Sequence, residues 1–469
     1  MFSFLSFSIG EIVAKASEFL WGWPTIILLF GTHIFLTVIL RFPQRHIFKA
    51  IKLSVTPDDG SKGDVSQFGS LATSLAATLG TGNIVGVATA VALGGPGAVL
   101  WCWMAGFFGI ATKYGEGLLA IKYRVKTSDG TMLGGPMYAL ERGLKMKWLA
   151  VLFCIFTALA AFGIGNSVQS NAISSLLATP GLFDGFEGIS TQITGIVLAL
   201  MVALVIIFGV KGIANVCCAL VPFMALFYII GCIIILFFNW EYLGAAIELI
   251  VKSAFSPEAA GGGFVGGTVM MAARFGIARG LFSNESGLGS APLIAAAAQT
   301  RNPVRQALVS STATFWDTVI VCALTGLVIV SSILAYPHID YSNGAQLTHA
   351  AFAEIPYVGT IVLTVGLITF TFSTILGWSY YGEKAIEYMA GKKTIFVYRI
   401  LWVVAVYAGA VINLELVWSV ADCANALMAI PNLIALLLLS RVIVKETKKY
   451  LWNNHLDDYS KDETPVIDN

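Results

Sequence analysis

The chain has 469 residues, 57% of them hydrophobic and only 12% charged, with a mean hydropathy of +0.80. A water-soluble chain carries about twice that charged fraction, so a soluble enzyme, a nucleic-acid-binding protein and a disordered chain are all excluded. Basic and acidic residues nearly cancel, 28 against 27, so the information lies in where the charges sit. In chain order, Met1 to Glu11 lacks the basic start and small-residue cleavage site of a secretory signal and reads as a short interfacial segment. A bilayer-crossing helix needs about 20 mostly apolar residues. Eleven stretches qualify: 18–40, 68–93, 97–122, 150–178, 189–210, 213–238, 264–299, 305–335, 357–389, 395–412 and 415–443. The longest exceed the bilayer thickness and must be tilted or broken. The seven cysteines sit in apolar runs with no metal-ligand spacing and read as small buried hydrophobes. The five histidines are scattered, which argues against a zinc site.

With eleven spans, all but four of the 28 basic residues (Lys15, Lys252, Arg274 and Arg279) fall toward one side of the membrane. The intervening loops 94–97, 179–188, 336–356 and 413–414 hold no Lys or Arg. The positive-inside bias then makes the C-terminus cytoplasmic and the N-terminus extracytoplasmic, in a multi-pass protein of the plasma (inner) membrane. Ten or twelve spans would scramble this asymmetry.

Two spans are interrupted. The second reads Leu75-Ala76-Ala77-Thr78-Leu79-Gly80-Thr81-Gly82-Asn83-Ile84-Val85-Gly86. Its glycines suit either tight G-x-x-x-G helix packing or a local unwinding that frees backbone groups at mid-membrane, which is tolerated only where they line a cavity or are buried in protein. It is not a dinucleotide fingerprint, because the spacing is wrong and no strand precedes it. The seventh span reads Gly280-Leu281-Phe282-Ser283-Asn284-Glu285-Ser286-Gly287-Leu288-Gly289-Ser290-Ala291-Pro292, a cluster of small and polar residues between apolar flanks, and reads as a broken helix. Each break opens a block of five spans, 68–238 and 264–443. An odd number of spans per block inverts the second relative to the first. The chain thus divides into an N-terminal segment with one extra span (1–67), two inverted five-helix blocks and a tail (444–469), an all-α polytopic membrane protein. Interrupted segments at corresponding positions of inverted halves mark a transporter's binding site. Half-helix N-termini offer N–H groups to an anion, and half-helix C-termini offer carbonyls to a cation.

These motifs resemble the alanine or glycine:cation symporter family over nearly the whole chain. The likeness rests on Ala76-Ala77-Thr78-Leu79-Gly80-Thr81-Gly82-Asn83-Ile84, on Gly94-Gly95-Pro96-Gly97-Ala98 with Trp101-Cys102-Trp103-Met104, on Phe282 through Pro292, and on Leu376-Gly377-Trp378-Ser379-Tyr380-Tyr381-Gly382-Glu383-Lys384. The chain departs from the family pattern at Leu100 and Cys102, where Phe and Met are favoured. Both changes are apolar and lie away from the breaks. The resemblance implies a LeuT-type fold with one extra helix and a carrier, not an enzyme, that couples Na+ influx to uptake of alanine, glycine or similar small amino acids by alternating access. No P-loop is present to supply ATP energy. Its partners would be Na+, the small amino acid and the lipid bilayer, with no nucleic acid and no obligate protein partner evident.

The resemblance also implies a site. The Ala76 and Leu79 carbonyls with the Ser373 and Thr374 hydroxyls would bind Na+, although each hydroxyl could instead bond its own i−4 carbonyl. The N–H groups of Thr81, Gly82 and Asn83 would take the substrate carboxylate. Gln169 and carbonyls near Phe282 and Ser283 would take the amine, unless Gln169 makes only an interhelical hydrogen bond. Gly165, one helical turn before Gln169, would leave room for the ligand. Phe282 and Trp378 would wall the apolar side and limit it to small side chains. Asp317 and Glu285 are intramembrane carboxylates and functional candidates by default. Arg279 is a partner candidate for Glu285, whose carboxylate could also accept N–H groups of the unwound segment. Asp317 could pair with a basic residue or carry a proton. Lys113 and Glu116 read as an interfacial pair, and the tail after Trp452 as mobile.

Overall fold

The structure is a computed structural model that describes residues 2–58, 61–183, 185–256, 268–340, 344–412 and 415–467. Met1, the first residues of the seventh stretch (264–267) and the loop 413–414 lie outside the described residues. Among the described residues seven helices are long and apolar enough to cross a membrane, or eight if the bent pair Gln67–Thr78 and Gly82–Gly94 is one span. Three other predicted spans are helical but fall short of that measure for visible reasons. Gly97–Lys122 carries charges, Thr191–Ile206 has only 16 residues, and Val269–Asn284 is cut off from the short helix Pro292–Ala295. The helix order is consistent with one extra helix followed by two blocks of five.

Burial runs opposite to that of a soluble protein. Leu204, Phe208, Phe237, Phe396 and Val404 are exposed on the outside, while Asn83, Thr112, Lys113, Asp317 and Ser373 are buried within. A chain dissolved in hydrocarbon gains nothing by hiding leucines but must pair every polar group internally.

Four elements depart from the sequence reading. Residues 2–20 form one helix, longer than the short segment Met1–Glu11 read from the sequence, joined at Trp21–Gly22 to Trp23–Ile39. Trp240–Phe255 and Gly344–Ala353 are helices in what read as loops. The first is too short and too charged to register as a span, and the second too short. The tail after Trp452, read as mobile, packs against the rest of the chain. A helical segment from Ser440 to Trp452 leads into strand β3 (Val466–Ile467), which pairs parallel with β1 (Val125–Thr127), itself antiparallel to β2 (Met132–Leu133). Asn302 Nδ2 donates to the Leu456 and Asp458 carbonyls at 2.8 and 2.9 Å, and Lys122 pairs with Glu446 and Asp462 at 2.7 Å. These partners lie far away in sequence, which is why composition alone suggested a free tail.

Candidate functional site

The first break follows from one asparagine. Helix Gln67–Thr78 would continue through Gly80 N–H to Ala76 C=O, but Gly80 N–H donates instead to Asn83 Oδ1 at 2.9 Å. Asn83 N–H in turn closes onto Gly80 C=O at 3.3 Å rather than onto Leu79. The Ala76 and Leu79 carbonyls are thereby released from the helical ladder. The ninth span, Val358–Ala390, crosses at this point, and Gly377 permits the approach, since a Cβ there would lie 2.7 Å from Ala77 Cβ. The crossing sets Thr374 Oγ1 2.9 Å from Leu79 O and 3.2 Å from Ala76 O, and Ser373 Oγ 3.1 Å from Ala76 O. Both hydroxyls also donate to Phe370 C=O, so the i−3/i−4 bonding and the cross-helix contact occur together. Four oxygens, none formally charged, converge in a buried spot, a set that suits a hard monovalent cation.

The second break ends helix Val269–Asn284 with Glu285 in the left-handed region at φ 55°. Gly287 and Gly289 follow at φ 89° and 90°, conformations that glycine adopts without steric cost. The polar backbone so exposed is satisfied from the third span. Lys113 Nζ donates to Asn284 C=O at 2.8 Å, and Glu116 Oε1 accepts from Gly287 and Gly289 N–H, both at 3.1 Å, and from Asn432 Nδ2 at 2.7 Å. A cation thus faces the C-terminal end of the half-helix and an anion the amides beyond it, the favourable sign at each. Lys113 and Glu116 are 1% and 2% exposed, so they are buried supports of the break and not an interfacial pair. The available signal was two charges one turn apart in a span whose glycines (Gly106, Gly109, Gly115, Gly117) let neighbours come close.

Asp317 joins the two breaks. Its carboxylate accepts from Asn83 Nδ2 at 2.7 Å, from Ser283 Oγ at 3.0 Å and from Thr318 Oγ1 at 2.6 Å. It makes no ion pair with a basic residue among those described. The eighth helix widens into a π-helical stretch, Phe315–Cys322, around it. Glu285 does not pair with Arg279 and does not accept the N–H groups of the unwound segment. Its carboxylate takes Trp378 Nε1 at 2.9 Å and Ser290 Oγ at 2.5 Å. Arg279 points the other way, into a pocket it shares with Asp422.

Between the breaks lies a cavity of about 20 Å³, with Thr81, Gly82, Ile164, Gln169, Phe282, Ser283, Thr374 and Trp378 in its wall. Gln169 Oε1 accepts from Thr81 N–H at 3.4 Å, while its Nε2 donates to Thr81 Oγ1 at 3.2 Å and Ile164 C=O at 2.9 Å. Gly82 sits against the other break, where an added Cβ would be 3.2 Å from Ser283 Cα. Two expected site residues fall elsewhere. The Asn83 side chain turns to Asp317 and its N–H to Gly80, so it shapes the break without lining the cavity. Gly165 leaves no room for a ligand, because a Cβ there would meet Trp378 Cβ at 2.3 Å; the glycine is needed to seat the indole.

A sequence profile of the sodium:alanine symporter family matches residues 6–464. This chain belongs to the sodium:alanine symporter family. It is 49% identical over 448 residues to the sodium/alanine symporter AgcS of Methanococcus maripaludis, covering 94% of this chain and 97% of that one. It is also 49% identical over 460 residues to an uncharacterized transporter of Haemophilus influenzae, covering 97% and 99%. Members of this family are transporters rather than enzymes, with Na+ as the co-transported ion. Among solved structures the chain superposes on MhsT in complex with L-phenylalanine with a TM-score of 0.59, covering 85% of this chain and 96% of that one. At 16% identity that likeness concerns the fold alone, the LeuT-type arrangement of two inverted five-helix blocks.

Proposed function

We propose that this sodium:alanine symporter family member couples Na+ influx to uptake of small neutral amino acids, alanine and glycine, by alternating access in the plasma (inner) membrane, with its N-terminus outside and its C-terminus in the cytoplasm. One observation carries the reading: the Ala76 and Leu79 carbonyls freed by the first break meet the Ser373 and Thr374 hydroxyls beside the cavity that Thr81 and Gln169 line. Na+ replaces the hydroxyl protons as the partner of those carbonyls. The substrate carboxylate takes the Thr81 and Gly82 N–H groups, which requires Gln169 Oε1 to leave Thr81 N–H and turn to the substrate ammonium beside the Phe282 and Ser283 carbonyls. Trp378, held by Glu285, and Phe282 wall the cavity, which favours a methyl group or a hydrogen over a long side chain.

The size of the cavity supports alternating access. A cavity of about 20 Å³ has space for about one water, so an amino acid enters only when a break or a wall moves. The orientation rests on the one-sided distribution of basic residues. The test is uptake of labelled alanine and glycine into proteoliposomes with an inward Na+ gradient against K+ on both sides. Gradient-dependent accumulation is expected, and equal uptake in both media would overturn sodium coupling.

A further inference from the structure

Away from the breaks, a groove of about 840 Å³ opens sideways between the fourth, fifth, sixth and ninth spans and shares no wall residue with the central cavity. Ile193, Val197, Met201 and Phe223 line it and are exposed, so it opens toward hydrocarbon rather than toward water. One stripe of helix Gly209–Phe238 runs along it. Lys211, Asn215, Ala219 and Phe223 are spaced about one turn apart and so stack in a line. The last three line the groove, and Lys211 stands one turn beyond its end. A helix rises about 18 Å from Lys211 to Phe223, close to the roughly 15 Å of hydrocarbon in one leaflet plus its headgroup boundary.

The two polar side chains of this stripe lack partners. The charge of Lys211 reaches Asp64, but Lys211 makes no hydrogen bond or ion pair among the described residues. The nearby Arg399 differs: its Nε pairs with Glu383 at 2.7 Å and its Nη1 donates to Ile207 C=O at 3.5 Å. The Asn215 side chain is exposed in the groove and makes no hydrogen bond among the described residues. Thr369, by contrast, is satisfied by Val365 C=O at 2.7 Å. An amide that meets hydrocarbon without a partner is costly. The groove is therefore complementary to a molecule with an anion at Lys211, an acceptor one turn further on at Asn215, and an apolar chain beyond. A phospholipid carries those groups in that order: phosphate, ester carbonyl, acyl chain. We propose that the groove binds one phospholipid from the leaflet on the basic side of the membrane, with its phosphate on Lys211, an ester carbonyl on Asn215 Nδ2 and an acyl chain along Ala219 and Phe223, an anionic headgroup being preferred. The wall opposite includes Phe372, next to Ser373, and Ile173, one turn after Gln169, so the lipid packs behind both helices that carry the candidate site. The proposal rests on the chain's spanning a membrane and not on which ion or amino acid it carries.

The experiment is native mass spectrometry of the full chain, delipidated in detergent and titrated with phosphatidylglycerol, phosphatidylcholine or diacylglycerol of the same acyl chains, or with inorganic phosphate. Phosphatidylglycerol should bind as a single adduct, about fivefold tighter than phosphatidylcholine, the effect of one lysine beside an anionic headgroup. Diacylglycerol, which lacks the phosphate, and inorganic phosphate, which lacks the chain, should both bind more weakly than either phospholipid. Lys211→Gln should abolish the preference for phosphatidylglycerol. Ala219→Trp fills the groove from its lipid side and should weaken both phospholipids by about tenfold or more, the loss of as few as two buried methylenes. The two phospholipids are compared on the unchanged chain, so the test remains decisive if either variant misfolds. Equal binding of phosphatidylglycerol and phosphatidylcholine, or of phosphatidylglycerol and inorganic phosphate, overturns the proposal. So does a dimer that Ala219→Trp dissociates, because the groove is then covered by a second copy of the chain. A specific lipid adduct without Na+-driven uptake refutes sodium coupling alone, and Na+-driven uptake without the adduct refutes the lipid site alone.

Discussion

Thr374→Val is the sharpest test of the sodium site. Valine keeps the shape of threonine but has a methyl where Oγ1 now contacts the Leu79 and Ala76 carbonyls at 2.9 and 3.2 Å. One of four protein oxygens is lost. A polar contact to a charged group contributes about 1.5–3 kcal/mol, which weakens Na+ binding by about 10- to 150-fold. Na+ at about 100 times the wild-type dissociation constant stabilises the wild type by about 2.7 kcal/mol, and a variant binding tenfold more weakly by about 1.4 kcal/mol. The assay is thermal unfolding in detergent across an Na+ series at constant ionic strength with K+, beside the Na+ dependence of alanine uptake. The Na+-induced shift should shrink and the half-saturating Na+ concentration rise, with Thr374→Ser restoring both. A Thr374→Val protein with the wild-type Na+ dependence would refute the assignment.

Gly165→Ala should force the Trp378 indole to shift, since the new Cβ would lie 2.3 Å from Trp378 Cβ. Overpacking of this kind costs about 1–3 kcal/mol, and alanine uptake should fall further than glycine uptake in a competition assay. Lys113→Met strips the ammonium from Asn284 C=O, and Glu116→Gln weakens the charge-assisted bonds to Gly287 and Gly289 N–H. Each should lower equilibrium alanine binding, although neither residue lines the cavity, and unchanged binding would deny them a supporting role. Asp317→Asn keeps the shape but removes an acceptor for Asn83 Nδ2 or Ser283 Oγ, so uptake should be lost while the protein still folds, as judged by size-exclusion profile. Deletion of residues 453–469 removes β3 and the Asn302 contacts. It should lower the melting temperature by a few degrees without changing the Na+-induced shift.

The spans and the positions of both breaks were legible in the sequence, because a bilayer imposes length and hydropathy rules on each segment separately. Ser373, Thr374, Gln169 and Trp378 were implied by the family resemblance, and the structure brings all four to the first break and the cavity beside it. What faces what was decided only by the tertiary structure. Asn83 lies in the interrupted motif, yet its side chain serves the break and Asp317, because Gly80 N–H captures its oxygen. Gly165 looks like open space until the ninth span brings Trp378 against it. Lys113 and Glu116 look interfacial by position, but burial against the seventh span assigns them to unpaired backbone more than 160 residues away. The sequence determined which groups hydrocarbon would not tolerate alone, and the fold determined which partner each of them found.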